Sequence, residues 1–310
     1  SIEKKEVVVV GGQDSNTKQL YIPGKIKNGG IEYNVRQIAD NAFKNCNELE
    51  EVSLPDTMET IGANAFQNDK KLTGLKLPKN IKTMGYGAFG ECTGLTEIEI
   101  PKTLEKVWCA YYDSKSDGAF RGCSNLKDVR FEEGTKTVTE YVFKNCTGLE
   151  KITIPEGIET IGNGAFSDCT SLISIQLPND LGTIESSAFA YTGIKSIIIP
   201  PKIKKILSQT FEYSRISSIT LPEGLESIGS SAFKGSSIEK LILPCNLKSL
   251  GNHTFSNCLS LIEIHSLNPI PPSADNTTFW YTYNLYIPKG SYDKYYIAPG
   301  WMEFKNIIEE

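Results

Sequence analysis

Apolar residues recur along this chain at a nearly constant interval. A phenylalanine, usually within an Ala-Phe dipeptide, stands at ten positions separated by 23, 23, 31, 23, 23, 23, 22, 22 and 22 residues. An aliphatic residue or methionine precedes it by five positions in nine copies, and Leu or Ile follows it by five or six. Such a period predicts a solenoid, in which each coil buries its apolar side against its neighbours. The repeat phenylalanines are Phe43, Phe66, Phe89, Phe120, Phe143, Phe166, Phe189, Phe211, Phe233 and Phe255.

Each repeat ends in alternating apolar and polar residues of the form Leu-x-x-Ile-x-Ile, usually closed by proline, as at Ile152, Ile154 and Pro155. Alternation with a period of two predicts one short strand per repeat, with one buried face, in a parallel sheet. Proline ends the strand because it has no N–H for a central ladder. The segment around Ala-Phe is too short for a stable helix, so it predicts a single helical or 3-10 turn.

The spacing divides the chain into three parts. Residues 1–35 contain two strand-like stretches, EVVVV and QLYIP, which predict an N-terminal β cap. Residues 36–265 hold about ten repeats of 22–23 residues, with an insertion near 107–118. Residues 266–310 depart from the period and are rich in Tyr, Trp and Pro, so we expect a C-terminal cap. Caps are expected because an uncovered sheet edge invites pairing with other chains.

Composition narrows the class of function. The charge balance of 32 − 37 gives a formal net charge of −5, so a nucleic-acid partner is not expected. No apolar run reaches the roughly 18 residues of a membrane-spanning helix. The chain has only two histidines, His253 and His265. No catalytic triad of nucleophile, general base and orienting residue is therefore evident. The carboxylate pair Glu97 and Glu99 shares a strand face, but such pairs are common on solvated faces. We therefore expect no enzyme, no cofactor and no metal site.

Eight cysteines raise the question of disulfides or zinc. Six of them follow a repeat phenylalanine by three positions, where other copies carry Asp, Thr or Ser. The slot therefore suits a small residue with a weak hydrogen bond, and we expect buried thiols, although bridges between successive coils stay open as an alternative. A linear ladder does not offer the tetrahedral ligand set of zinc. The six in-phase residues are Cys46, Cys92, Cys123, Cys146, Cys169 and Cys258; Cys109 and Cys245 are out of phase.

The pattern I-x-x-I-G-x-x-A-F-x-x-C-x-x-L-x-x-I-x-I-P resembles the BspA-type class of leucine-rich repeats over roughly residues 20–310. The tail, with LYIPKGS and then GWMEF, resembles the C-terminal segment of surface proteins of that kind from anaerobic bacteria. The resemblance implies a right-handed, horseshoe-like leucine-rich repeat superhelix. Glu132 stands where proline is expected, and Thr210 and Thr254 replace the alanine.

The same resemblance implies a secreted or cell-surface bacterial protein, with its export signal removed and a lipid anchor as one mode of attachment. It also implies a role in adhesion, with host matrix proteins or other cell-surface proteins as partners.

Alternation within the strands places two residues per repeat on the outer, concave face. Ile198, Thr220 and Ile242 form a β-branched stripe there, in the neutral half of that face. The stripe is a candidate contact patch, because solenoids bind partners on such faces. The alternative is that β-branched residues simply suit strands.

The insertion places Trp108, Tyr111 and Tyr112 outside the core phase. Insertions in repeat proteins form surface loops, and aromatic residues are frequent at binding hot spots. These three residues are therefore a second candidate ligand-binding site. The alternative is that the rings fold back and only cover the flank of the solenoid.

Three functions follow from these observations. The first is a non-enzymatic binding module whose partner is a protein or a glycan. The second is a structural spacer that presents another domain. A more distant alternative is carbohydrate binding or glycosidase-like activity, which would use paired carboxylates such as Glu97 and Glu99.

Overall fold

The computed structural model describes residues 5–12, 16–108, 118–280 and 284–310 of the 310-residue chain. The chain divides into two compact units, residues 1–150 and 151–310. Most coils in each unit carry two short strands joined by turns.

The first unit contains twelve strands within its described residues. In chain order they are β1 (Glu6–Val9), β2 (Gln19–Tyr21), β3 (Lys25–Asn28), β4 (Ile31–Ile38), β5 (Glu51–Ser53), β6 (Thr60–Ile61), β7 (Gly74–Leu75), β8 (Thr83–Gly85), β9 (Glu97–Ile100), β10 (Lys106–Trp108), β11 (Asp128–Phe131) and β12 (Thr137–Val138).

The second unit contains thirteen strands and one helix within its described residues. In chain order they are β13 (Lys151–Thr153), β14 (Thr160–Ile161), β15 (Ser174–Gln176), β16 (Thr183–Ile184), β17 (Ser196–Ile198), β18 (Lys205–Ile206), β19 (Ser218–Thr220), β20 (Ser227–Ile228), β21 (Lys240–Leu243), β22 (Ser249–Leu250), β23 (Glu263–Ser266), β24 (Asn284–Ile287), α1 (Tyr292–Tyr296) and β25 (Asn306–Glu309).

The strands predicted from the Leu-x-x-Ile-x-Ile pattern pair in parallel within each unit. The first unit contains the ladders β2-β5-β7 and β9-β11, and the second contains β13-β15, β17-β19 and β21-β23-β24-β25. In β13 the side chain of Ile152 is buried, whereas Lys151 and Thr153 are exposed. The predicted alternation of core and surface positions is therefore confirmed.

A second short strand in most coils was not predicted. These strands also pair in parallel, as β4-β6-β8-β10 in the first unit and as β14-β16 and β18-β20-β22 in the second. Most are only two residues long, so they carry no periodicity that a sequence could display. In β6, for example, Thr60 and Ile61 are followed directly by Gly62. A Cβ at Gly62 would stand 2.5 Å from the carbonyl carbon of Ala39. The backbones of the two coils are therefore in direct contact here, and only glycine leaves room for that contact.

The turn around each Ala-Phe is not the short helical or 3-10 turn that the sequence predicts. On either side of Phe66, Asn64 and Asn68 adopt positive φ angles of 53° and 68°. A left-handed residue interrupts a right-handed helix, because the chain cannot continue its hydrogen-bonding pattern through it. The amides of Asn64, Phe66 and Asn68 instead donate to carbonyls of the next coil, at 2.8 to 2.9 Å.

The repeat phenylalanines form a buried stack in each unit. Ring centroids of successive members lie 5.1 to 6.1 Å apart in the first unit and 5.4 to 5.7 Å apart in the second. In the second unit the stack extends beyond Phe255 to Phe279, where Trp301 and Phe304 pack against it. The chain thus adds one further coil after the tenth repeat.

Five of the six in-phase cysteines are buried beside this stack, and Cys46 is partly exposed. Cys92, Cys123 and Cys258 are buried thiols without a disulfide, as predicted from their phase. Burial raises the pKa of each, and that of Cys123 to about 12. Of the two out-of-phase residues, Cys245 is exposed and Cys109 lies outside the described residues.

Candidate functional site

The exposed strand face of the second unit carries an open groove of about 790 Å³. It crosses β13, β15, β17 and β19 and the loops that follow these strands. Its lining is mostly small hydroxyl and amide side chains with prolines, and Glu156 is its one carboxylate among the described residues. The strand residues with polar side chains in the lining are Thr153, Ser174, Gln176, Ser196, Ser218 and Thr220.

The structure brings the predicted β-branched stripe together on this face. Ile198 stands opposite Thr220 in the parallel register of β17 and β19, and both line the groove. Ile242 lies on β21, the next strand of the array, and stands opposite His265 of β23. The side chain of Ile198 is 73% exposed and that of Ile242 is 51% exposed, so both present apolar surface to solvent.

The corresponding face of the first unit has a different chemistry. A groove of about 420 Å³ there is lined by Lys76, Glu97, Glu99 and Arg130, among others. The Arg130 guanidinium contacts Glu97 at 2.8 Å and Asp128 at 2.6 Å. The hydrogen bond that the Arg130 guanidinium donates to Asp128 is the main cause of the raised pKa of Arg130. Glu97 therefore pairs with a cation.

Of the predicted insertion site, the structure describes Trp108 alone. This residue ends β10, where it stands opposite Gly85 of β8, and its side chain is 52% exposed. The ammonium of Lys106 lies 4.2 Å from the centre of its ring. Tyr111 and Tyr112 lie outside the described residues. Trp108 belongs to the first unit and the β-branched stripe to the second, so they are two separate candidates.

A pair of tyrosines in the second unit was missed by the sequence reasoning. The rings of Tyr191 and Tyr213 stack with centroids 5.4 Å apart, and both residues reach solvent from turns rather than strands. Each stands two positions after a repeat phenylalanine, where most other copies carry Asn, Asp or Gly. That substitution of a large ring for a small turn residue is the signal that identifies the pair.

The aromatic tail has both exposed and interior members: Trp280, Tyr292 and Tyr296 are exposed, and the Tyr292 and Tyr296 rings stack with centroids 5.6 Å apart. Trp301 and Tyr295 are fully buried, and the Tyr295 hydroxyl lies 2.7 Å from both the Ser266 hydroxyl and the Asn268 carbonyl. The indole N–H of Trp301 donates to the Pro272 carbonyl at 2.7 Å. The rings of Tyr295 and Trp301 therefore belong to the core of the second unit and offer no stacking surface to a ligand.

In the described part of the chain, no group of three or more His, Cys, Asp or Glu residues is arranged to hold a metal ion. His265 stacks on Tyr286 at 4.3 Å and contacts Glu310 at 2.8 Å. No helix among residues 5–12, 16–108, 118–280 and 284–310 is long and apolar enough to cross a membrane.

A family model described as BspA type leucine rich repeat region (6 copies) matches residues 18–115, 112–217 and 183–286. This chain belongs to that family. The resemblance inferred from the repeat residues is thereby confirmed, and so is the leucine-rich repeat solenoid as the fold.

Several solved structures of bacterial proteins are similar to this chain. The pneumococcal vaccine antigen PcpA is 20% identical, with 98% of this chain and 91% of that chain covered and a TM-score of 0.51. A leucine-rich repeat protein of Bacteroides ovatus ATCC 8483 is 22% identical (98% and 96% covered, TM-score 0.46). A leucine rich cell surface protein of Faecalibacterium prausnitzii A2-165 is 21% identical (95% and 88% covered, TM-score 0.41). No curated protein sequence matches this chain.

Proposed function

We propose that this chain is a non-enzymatic binding module of a secreted or cell-surface bacterial protein, and that the groove of the second unit takes a protein partner. The observation that carries the proposal is the position of Ile198. Its side chain is 73% exposed beside Thr220 in a groove of about 790 Å³. With Ile242 on a nearby strand, it supplies the apolar centre that a protein interface needs.

The chemistry of the groove supports a protein as the partner. The core of a protein interface is depleted in charge, and this groove has one carboxylate, Glu156, among its described lining residues. The hydroxyl and amide groups around Ile198 provide hydrogen bonds without the desolvation cost of ion pairs. The partner class is a host matrix protein or a protein of another cell surface. The surface location is supported by the family and by the cell-surface description of the Faecalibacterium protein.

The test is a binding screen against purified extracellular-matrix proteins, followed by paired variants. For a partner found by the screen, the double variant Ile198→Asp with Ile242→Asp should weaken affinity by roughly tenfold or more, as for hot-spot residues. Ile173→Asp is the matched control, because Ile173 is also half-exposed but does not line the groove. Equal affinity of the double variant and the control would reject the groove as the site. An absence of partners in the screen would favour the structural spacer instead.

The insertion is the second candidate for the contact surface. It is favoured by the exposure of Trp108 at the end of β10. Together with Tyr111 and Tyr112, this residue would supply the aromatic anchors typical of binding loops. Replacing Trp108 and Tyr112 together by alanine decides between the two surfaces. Unchanged affinity for the partner rejects the loop.

A further inference from the structure

In ten successive coils the second residue after the repeat phenylalanine has a left-handed backbone, with φ between 50° and 73°. Asn, Asp and Gly tolerate this conformation, whereas a bulky side chain in it is uncommon. Two neighbouring coils nevertheless place tyrosine there. Strain of this kind is concentrated at functional sites. The ten residues are Asn45, Asn68, Glu91, Gly122, Asn145, Asp168, Tyr191, Tyr213, Gly235 and Asn257.

The two tyrosines form an ordered, partly exposed ledge. Their rings are 22° from parallel with centroids 5.4 Å apart, and the residues are 44% and 38% exposed for Tyr191 and Tyr213. The backbone amide of Tyr191 donates to the Glu212 carbonyl at 2.8 Å, and that of Tyr213 to the Lys234 carbonyl at 2.7 Å. On the next coil, Gly235 leaves room for the ring, because a Cβ there would stand 2.4 Å from Cδ1 of Tyr213.

An ion pair lies against the ledge. The ammonium of Lys234 is 3.3 Å from Oε1 of the buried Glu212 carboxylate and 5.5 Å from the centre of the Tyr213 ring. The other carboxylate oxygen of Glu212 accepts a hydrogen bond from the Gln209 amide at 2.8 Å. Gln209 and the Tyr213 ring therefore contact the Glu212–Lys234 ion pair, which has no net charge. Lys234 is the more exposed partner, so its ammonium is the group that a ligand meets.

We propose that Tyr191, Tyr213 and Lys234, supported by Glu212, form a binding site for a neutral oligosaccharide. A pyranose ring carries an apolar C–H surface that packs on an aromatic ring. Its hydroxyl groups both donate and accept hydrogen bonds. The solvent-exposed part of the stacked tyrosine rings contacts the C–H surface, the Lys234 ammonium donates to a sugar oxygen, and the phenol hydroxyls bond to neighbouring hydroxyls.

Charge favours a neutral ligand over a charged one. A cationic ligand would meet the Lys234 ammonium at the surface, and an anionic ligand would compete with Glu212 for it. A neutral sugar leaves the ion pair intact. The site lies in the turns, separate from the strand face proposed for the protein partner, and its existence does not depend on that proposal.

The test uses the full chain and an array of neutral oligosaccharides, including glucans, mannans, galactans and chito-oligosaccharides, with calorimetry on the best binder. The variant is Tyr191→Asn with Tyr213→Asn, because asparagine already occupies this left-handed position in four other coils. The control is Tyr141→Asn. Tyr141 also has a positive φ, of 53°, and a lysine ammonium 5.8 Å from its ring, that of Lys144, but it belongs to the first unit.

The expected result is saturable binding by the native chain, a loss of roughly tenfold or more in the double variant, and native affinity in the control. Circular dichroism is expected to show the native fold in both variants. The proposal is overturned if the native chain binds none of the neutral glycans. It is equally overturned if the double variant keeps its affinity, or if the two tyrosines prove necessary only for binding a protein.

Discussion

The thiol of Cys92 donates a hydrogen bond to the backbone carbonyl of Phe66, one coil earlier, at 3.0 Å. Cys123 does the same to Phe89 at 3.2 Å. In the coil where Ser214 occupies the slot, the bond has a different partner: the Ser214 hydroxyl donates at 2.8 Å to the Phe211 carbonyl of its own coil. Cys92 and Cys123 therefore link successive coils, whereas Ser214 closes a local turn.

This difference predicts that Cys123→Ser destabilises the first unit. The serine hydroxyl would turn to its own coil, so the Phe89 carbonyl would lose the Cys123 donor and keep only the longer bond from the Cys92 amide at 3.4 Å, at a cost of about 1 kcal/mol. Urea unfolding followed by circular dichroism measures the change. Cys245→Ser is the control, because Cys245 is exposed and its replacement should leave the midpoint unchanged. Coincident unfolding curves for the two variants would refute a linking role for the thiol.

The cysteines are also predicted to differ sharply in reactivity. Burial raises the pKa of the Cys92, Cys123 and Cys258 thiols, and the thiolate is the form that alkylating reagents attack. Under native conditions iodoacetamide should therefore modify Cys245 within minutes and leave these three intact until the chain unfolds. Peptide mass spectrometry assigns each site. Rapid native labelling of Cys123 would contradict the buried ladder.

Asp69 occupies the cysteine slot of its coil, and it makes stability depend on pH. Burial raises the pKa of this carboxyl to about 8. One oxygen accepts from the Cys46 amide at 2.7 Å, while the other has no partner in the described structure. Because the folded form holds its proton more tightly than the unfolded form, stability is highest below the usual carboxyl pKa. It falls as the pH rises toward about 8.

Asp69→Asn should remove this dependence, because asparagine keeps the acceptor for the Cys46 amide and cannot ionise. We expect the variant to be more stable than the native chain by about 1–3 kcal/mol at about pH 9, and the advantage to shrink toward about pH 5. Thermal unfolding over that range measures both curves. Parallel curves for the two proteins would show that Asp69 does not titrate in the folded state.

The core residues of each unit could be predicted from the sequence, because equivalent positions of successive repeats must all carry apolar side chains. Phe66 and Ile61 are predicted by the period alone, and both are fully buried. The second strand around Ile61 could not be predicted, since a two-residue strand shows no alternation. The left-handed backbone of residues such as Asn68 could not be predicted either. The amide of Asn68 donates its hydrogen bond to another coil, and a local sequence pattern does not show bonds between coils.

Of the two candidate sites in the second unit, one could be predicted from the sequence and the other could not. Ile198 and Thr220 follow from strand alternation, so their shared exposed face could be predicted. Tyr191 and Tyr213 stand in turns, where period-two alternation does not apply. Only a comparison of equivalent turn positions across the coils exposes them, because the physical constraint there is the sign of φ and not hydrophobicity.

The Tyr213 ring packs against Gly235 so closely that a side chain at residue 235 is expected to displace it. Gly235→Ala places a Cβ against the Tyr213 ring, at a residue whose φ is 70°. Gly122→Ala is the matched variant, because Gly122 has the equivalent position in another coil and a φ of 73°. The new Cβ there contacts the flexible Glu91 side chain instead of a ring. Both should lose about 1–2 kcal/mol from the left-handed backbone.

Only Gly235→Ala should carry an additional cost, about 1 kcal/mol or more, because the Tyr213 ring must move. Adding Tyr213→Asn to each variant completes two double-mutant cycles by chemical unfolding, and the coupling should be large with Gly235→Ala and absent with Gly122→Ala. Equal coupling in both cycles would mean that the ring does not rest on Gly235. If the ledge binds glycans, the displaced ring should also lower glycan affinity in Gly235→Ala and leave it unchanged in Gly122→Ala.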